Sequence, residues 1–195
     1  MATHVPRGEI LNNNLSHTTT RVRLRPTMQS DLTYVLSLEQ DEHNLPFITP
    51  WDRTQHEAAI RFPDMRHFII EGGEGLEPAG FLILIGCRSQ HQSLELKRMV
   101  VQAKGQGFGR AALRVAKRVA FDDLKAHRFW LDVKQSNARA KAFYDSEGFV
   151  VEGTLRDAVK VTLDDGRASF DSLVVLSMLH SEFDARRAAG LELRT

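Results

Sequence analysis

Lys104, Gly105, Gln106, Gly107, Phe108, Gly109 and Arg110 stand consecutively in this chain. Glycines alternating at that density have a specific chemical use. A glycine backbone reaches positive φ without steric cost, so successive N–H groups can turn into one concavity and hold an anion. The residues that follow carry a helical apolar pattern, which adds the positive end of a helix dipole at the same place. A phosphate or pyrophosphate is the ligand such a loop fits; a plain strand-to-helix connection is the competing reading. Two other phosphate loops are excluded. One must end in Gly-Lys-Ser/Thr, whereas Gly109 is followed by Arg110 and Ala111. The other needs a glycine where Arg110 stands.

A second group follows downstream. Asn137, Ala140 and Tyr144 are spaced three and then four residues apart, which places them on one helical face. Each also has a plain structural use: Asn137 as a helix cap, Tyr144 as an amphipathic core ring, and the following Gly148 as a helix stop before Phe149. The eight histidines show no paired spacing with acids or with Cys87, so no metal site is expected.

The elements that must position these residues alternate along the chain. Val22 and Leu24 read as a strand ended by Pro26, and Ser30 or Asp31 as the cap of a helix carrying Leu32, Val35, Leu36 and Leu38. Pro46 and Pro50 make 44–51 a loop, and a short helix follows over 54–61. Strand patterns occupy 67–71, 79–87 and 94–101. Ala112, Val115, Ala116, Val119 and Ala120 recur at helical spacing after the glycine loop. A strand over 129–133, a helix over 137–147 and two late strands flanking Asp164, Asp165 and Gly166 complete the pattern.

The whole is 195 residues, 42% hydrophobic and 26% charged, with 26 basic and 25 acidic residues. Those values fit one globular domain, and the near-zero net charge argues against a dedicated nucleic-acid binder. The basic residues between Arg110 and Arg128 are read more simply as a solvated helix face. The single cysteine fits a reducing compartment, and no apolar run approaches the roughly 18–20 residues that span a bilayer, so a cytoplasmic protein without membrane partners is expected.

Taken together, Val100 and Val101, the glycine loop from Lys104 to Gly109, the long helix, the next strand, and then Asn137, Ala140, Phe143, Tyr144, Gly148 and Phe149 resemble the GNAT superfamily of acyl-CoA-dependent N-acetyltransferases. The likeness covers residues 20–179 and is carried by 94–153. Leu45 to Trp51 and Phe149 to Gly153 look most like the bacterial branch that acetylates ribosomal proteins and small-molecule amines.

The resemblance implies an α/β (α+β) fold with a mixed, mostly antiparallel central sheet flanked by about four helices and splayed between its fourth and fifth strands. Residues 1–19 are then a loose arm, 20–179 the domain and 180–195 a peripheral tail. The implied cosubstrate is acetyl-CoA, with pantetheine along Met99, Val100 and Val101, and pyrophosphate in the loop formed by Lys104, Gly105, Gln106, Gly107, Phe108, Gly109 and Arg110. Asn137 would bind pantetheine or order a water near it. Tyr144 matches the tyrosine that protonates the departing CoA sulfur, a task suited to a phenol whose ordinary pKa is about 10. Glu95 matches a position used for a carboxylate base, with Asp132 or ordered water as alternatives; the run Glu95, Leu96, Lys97, Arg98 also reads as a surface strand of paired charges. The acceptor, a small-molecule or peptide amine, should lie over the first two helices and their loop, near Asp41, Glu42, Phe47 and Trp51. The resemblance admits a homodimer. A CoA-binding regulatory module without turnover is the alternative function.

Overall fold

The computed structural model describes residues 17–18, 22–102, 104–163 and 165–192. In chain order these form β1 (His17–Thr18), β2 (Val22–Pro26), α1 (Leu32–Glu39), α2 (Arg53–Arg61), β3 (Met65–Gly72), β4 (Glu77–Ile85), β5 (Ser93–Val101), α3 (Phe108–Arg118), β6 (Arg128–Lys134), α4 (Ala138–Ser146), β7 (Val150–Thr162), β8 (Ala168–Leu179) and α5 (His180–Ala188). Among the described residues no helix is long and apolar enough to cross a membrane.

The strands make one sheet in the order β1-β2-β3-β4-β5-β6-β8-β7. Apolar runs in β3 and β4 supply both faces of its centre. Leu82 and Leu84 join the core under α3, while Phe81 and Ile83 join Val35 and Leu38 of α1 on the opposite face. The stripe of Ala112, Val115, Ala116, Val119 and Ala120 is buried, and its small residues let α3 lie close to the sheet. At its C-terminal end α3 widens into a π-turn over Val119–Asp123, where the Leu124 N–H donates to the Val119 carbonyl at 2.9 Å.

All pairings are antiparallel except β5 with β6. These are the fourth and fifth strands counted from Val22, and their parallel ladder covers only Ser93↔Arg128, Leu94↔Phe129 and Glu95↔Trp130. Beyond it β5 pairs only with β4, and β6 only with β8. The register of β4 on β5 slips between Ile83 and Leu84, leaving Lys97 as the extra residue of a bulge next to the point where the ladder stops. A bulge adds local twist, which turns β5 away from its neighbour. The sheet therefore opens into a cleft between β5 and β6.

Two expected boundaries move. His17 and Thr18, placed in a loose arm, pair with Arg23 and Leu24 of β2; the rest of the 1–19 arm lies outside the described residues. The 180–195 segment, expected to be peripheral, contains α5, an additional helix whose Phe183 is fully buried and stacks on Phe121 with ring centroids 4.8 Å apart. Glu192 is also buried and bonds the ammonium of Lys117, itself inside the core, at 2.6 Å. A short charged segment hid one aromatic anchor and one ion-pair partner.

Candidate active site

Gly105 and Gly107 have φ of +87° and +85°, and Gly107 is the N-cap of α3 in the left-handed conformation. L side chains rarely adopt these angles, so both positions need glycine. Gly109 does not: its backbone is ordinary, and an added β-carbon would meet only the Val101 Cγ2 at 3.6 Å. The first backbone bond into the helix is Ala111 N–H to Gly107 O at 3.0 Å, so the N–H groups of Phe108, Gly109 and Arg110 are the open first-turn donors. Lys104, Gly105, Gln106, Gly107 and Arg110 are exposed around them. The Lys104 ammonium donates to the His43 carbonyl at 3.2 Å, and Arg110 pairs with Glu147 at 3.0 Å.

Met99, Val100 and Val101 form the wall of the cleft on β5, opposite Leu82, Phe81 and Gly80 of β4. A β-carbon at Gly80 would sit 2.2 Å from the Val100 carbonyl oxygen, so only glycine lets β4 approach here. An extended ligand bearing amides can pair with the other edge of β5 as an added strand and lead its phosphates to the glycine loop. An open strand edge running toward a glycine loop suits a ligand that joins amides to phosphates, as acetyl-CoA does.

α4 begins directly after β6. Asn137 is its N-cap, its side-chain oxygen accepting from the Ala140 N–H at 3.1 Å; the amide N–H groups are the part that the cap does not use. Tyr144 is buried between Phe143 and Phe149, with ring centroids at 5.1 and 5.7 Å. Burial, and then the charge of Asp132, hold its phenol well above the ordinary value, so it keeps its proton. The structure thus brings Asp132 within electrostatic reach of Tyr144. Glu95 stands at the last rung of the parallel ladder, where the cleft begins, and is paired with Lys97 at 3.1 Å. Cys87 is half-buried against the core, and burial pushes its thiol up to about 11, which makes it a poor nucleophile.

A polar cluster that the sequence reading did not anticipate lies on the α1–α2 face of the sheet. His56 Nε2 is 3.7 Å from the fully buried Glu39, and His56 Nδ1 is 3.0 Å from His67 Nε2. His67 in turn bonds the Thr27 hydroxyl at 2.8 Å. Glu39 also binds Arg98, whose guanidinium donates to the Thr49 carbonyl at 2.9 Å and lies over the Trp51 ring at 5.5 Å. Burial lowers both histidines, aided by Arg98 at His56 and by His56 at His67, to about 4 and about 3. Burial also pushes the Glu39 carboxyl up, against Arg98 and the Trp51 N–H, which hold it down. No local spacing announces this cluster, because its members come from β2, α1, α2, β3 and β5 or the residues flanking them.

Residues 21–150 match the model of a family described as an acetyltransferase (GNAT) domain. The chain belongs to the GNAT acetyltransferases; it is an N-acetyltransferase, and acetyl-CoA is its cosubstrate. The spermidine N(1)-acetyltransferase of Vibrio cholerae is 24% identical over 146 residues, covering 69% of this chain and 82% of that one. An uncharacterized N-acetyltransferase of Mycobacterium tuberculosis is 34% identical over 92 residues, 47% of this chain and 58% of its own. The crystal structure of the V. cholerae spermidine N-acetyltransferase in complex with CoA and spermine superimposes with a TM-score of 0.74 at 22% identity, covering 85% of this chain and 99% of that one.

Proposed function

We propose that this chain moves the acetyl group of acetyl-CoA directly onto a primary amine of a small molecule, with Tyr144 as the acid. The observation that carries the reading is the parallel ladder that stops at Glu95↔Trp130 and leaves Met99 to Val101 without a strand partner on the β6 side; the buried Tyr144, which keeps its proton, supports the choice of acid. Acetyl-CoA supplies the thioester. The free edge of Met99 to Val101 orients it, and the first-turn N–H groups of α3 hold its phosphates. A neutral amine attacks the thioester carbon; the C–N bond forms, the C–S bond breaks and the Tyr144 proton goes to the departing sulfur. The amine proton passes to Asp132 or Glu95, directly or through water. Holding amine and thioester together supplies much of the acceleration.

A polyamine is the first acceptor to test. Support comes from the activity named for the V. cholerae relative and from Asp41 and Glu42, exposed at the start of the α1–α2 loop, where they attract cations. The experiment is incubation with acetyl-CoA and a panel of spermidine, N-terminal peptides, aminoglycosides and amino acids, followed by thiol release and product mass. An acetylated small-molecule amine, spermidine foremost, is the expected outcome. Absence of acetylated product across the panel overturns the proposal.

A further inference from the structure

Three backbone carbonyls of the α1–α2 loop, at every third residue, each accept from a cation belonging to a different part of the cofactor cleft. The His43 carbonyl accepts from Lys104 of the glycine loop at 3.2 Å. The Pro46 carbonyl accepts from Lys134, the last residue of β6, at 2.8 Å, and the Thr49 carbonyl from Arg98 of β5 at 2.9 Å. β5 and β6 are the two walls of the cleft, and their pairing has ended before Arg98 and Lys134 are reached. The loop is therefore tied to both walls across the open part of the sheet.

Two of these ties are buried. Lys134 is 9% exposed and Arg98 8% exposed. Taking an ammonium out of water costs several kcal/mol unless it finds strong partners. The charge of Asp171 on β8 offsets part of that cost, and the Pro46 carbonyl gives the ammonium a directed acceptor. What the ammonium adds is a directed bond to a carbonyl of the loop that begins with Asp41 and Glu42 and ends at Trp51.

We propose that Lys134 and Arg98 are positioning residues that strap the 41–51 loop across the mouth of the β5–β6 cleft, holding the amine in register with the thioester and keeping bulk water from it. The inference rests on the proposed function, because it takes that loop as the amine-binding side. Lys134 is the better probe, since Arg98 also neutralises buried Glu39 and its loss would disturb the core.

The test compares wild type with Lys134→Gln, Lys134→Met and Lys134→Arg in four measurements: amine KM, acetyl-CoA KM, CoA release without amine, and hydrogen exchange of the 43–51 amides. For Lys134→Gln and Lys134→Met the expected results are an amine KM raised about tenfold and an acetyl-CoA KM within about twofold of wild type. Thioester hydrolysis without amine and exchange in 43–51 should both rise, and Lys134→Arg should restore all of these toward wild type. A lysine that merely packs would change melting temperature without splitting the two KM values or admitting water. Folded Lys134→Gln and Lys134→Met proteins with unchanged amine KM, hydrolysis and loop exchange overturn the strap. If wild type acetylates nothing in the panel, the proposed function fails separately. The strap is then judged on exchange alone, and unaccelerated 43–51 amides in both variants reject it.

Discussion

Glu39 and Arg98 are 59 residues apart in sequence and form a buried ion pair, and the other bonds of both partners go to the same short stretch of loop. Glu39 accepts from the Trp51 N–H, while Arg98 donates to the Thr49 carbonyl. Removing one partner strands the other charge, whereas removing both leaves space that apolar side chains can fill. Glu39→Leu or Arg98→Met alone should cost about 3–5 kcal/mol, and the double variant clearly less than the sum. Urea denaturation of the four proteins measures this; additive losses would show that the two charges do not act as a pair.

The neutral pair His56 and His67 makes stability depend on pH with a definite sign. Their folded-state values of about 4 and about 3 lie below the ordinary 6.5. Between those values the unfolded chain takes up protons that the folded chain refuses. This contribution is complete above pH 6.5 and is lost as pH falls, at about 1.4 kcal/mol per pH unit for each histidine. His67→Gln should flatten the fall in unfolding free energy between pH 6.5 and 4. An unchanged slope in denaturation curves across that range contradicts the assignment.

At Gly107 the left-handed backbone, with φ of +85°, sets the requirement. Gly107→Val should lower stability by about 1–2 kcal/mol and weaken acetyl-CoA at least about tenfold by turning the loop's N–H groups. Lys104→Ala should weaken it less, since an exposed charge contributes less than the nest of N–H groups. Calorimetry on the folded variants decides; full affinity in Gly107→Val would remove the loop from the phosphate site.

Tyr144→Phe keeps the ring between Phe143 and Phe149 and deletes only the hydroxyl, the proposed acid. Melting temperature and acetyl-CoA affinity should stay near wild type while kcat falls about 10- to 1,000-fold. Single-turnover transfer is the appropriate readout, because slow product release can mask a chemical defect. Equal single-turnover rates would make Tyr144 structural.

Gly80→Ala places a methyl group against the Val100 carbonyl, and backbone cannot yield as a flexible side chain does. The expected result is a less stable protein in which acetyl-CoA also binds more weakly, because the displaced segment of β5 is the proposed pantetheine wall. Loss of stability with unaltered affinity in the surviving fold would separate the two roles of that wall.

Much of this architecture was legible in local pattern. The apolar runs around Ile69 and Leu82, the alanine-rich stripe of α3 and the glycines of its N-terminus each declare an element within a few residues. What stayed hidden depends on long-range pairing. Glu95, Leu96, Lys97 and Arg98 read as an exposed charged strand, yet Arg98 is 8% exposed, and the bulge at Lys97 moves it from the face of Leu94 and Leu96 to the α1 face, where it meets Glu39. Its partner Glu39 ends a helix where a solvent-facing acid is ordinary, and His56 and His67 show no metal-like or catalytic spacing. Phe183 sits among charged residues, so its burial depends on Phe121 across the π-turn, which no periodicity in α5 encodes.

The strand order has a consequence for how the protein is made. β8 is the last of the sheet's described strands in chain order, yet it lies inside the sheet, pairing with β6 from Arg128↔Leu179 to Lys134↔Leu173 and with β7 on its other side. While the chain is still emerging, the strand that carries Asp132 has one entire edge without a ladder, and exposed edges of that kind recruit other chains. A fragment trimmed to residues 21–150, the span that matches the family, would keep the glycine loop and Tyr144 but retain that sticky edge permanently. Such a fragment should aggregate, and the complete sheet should form only after Leu179 has left the ribosome.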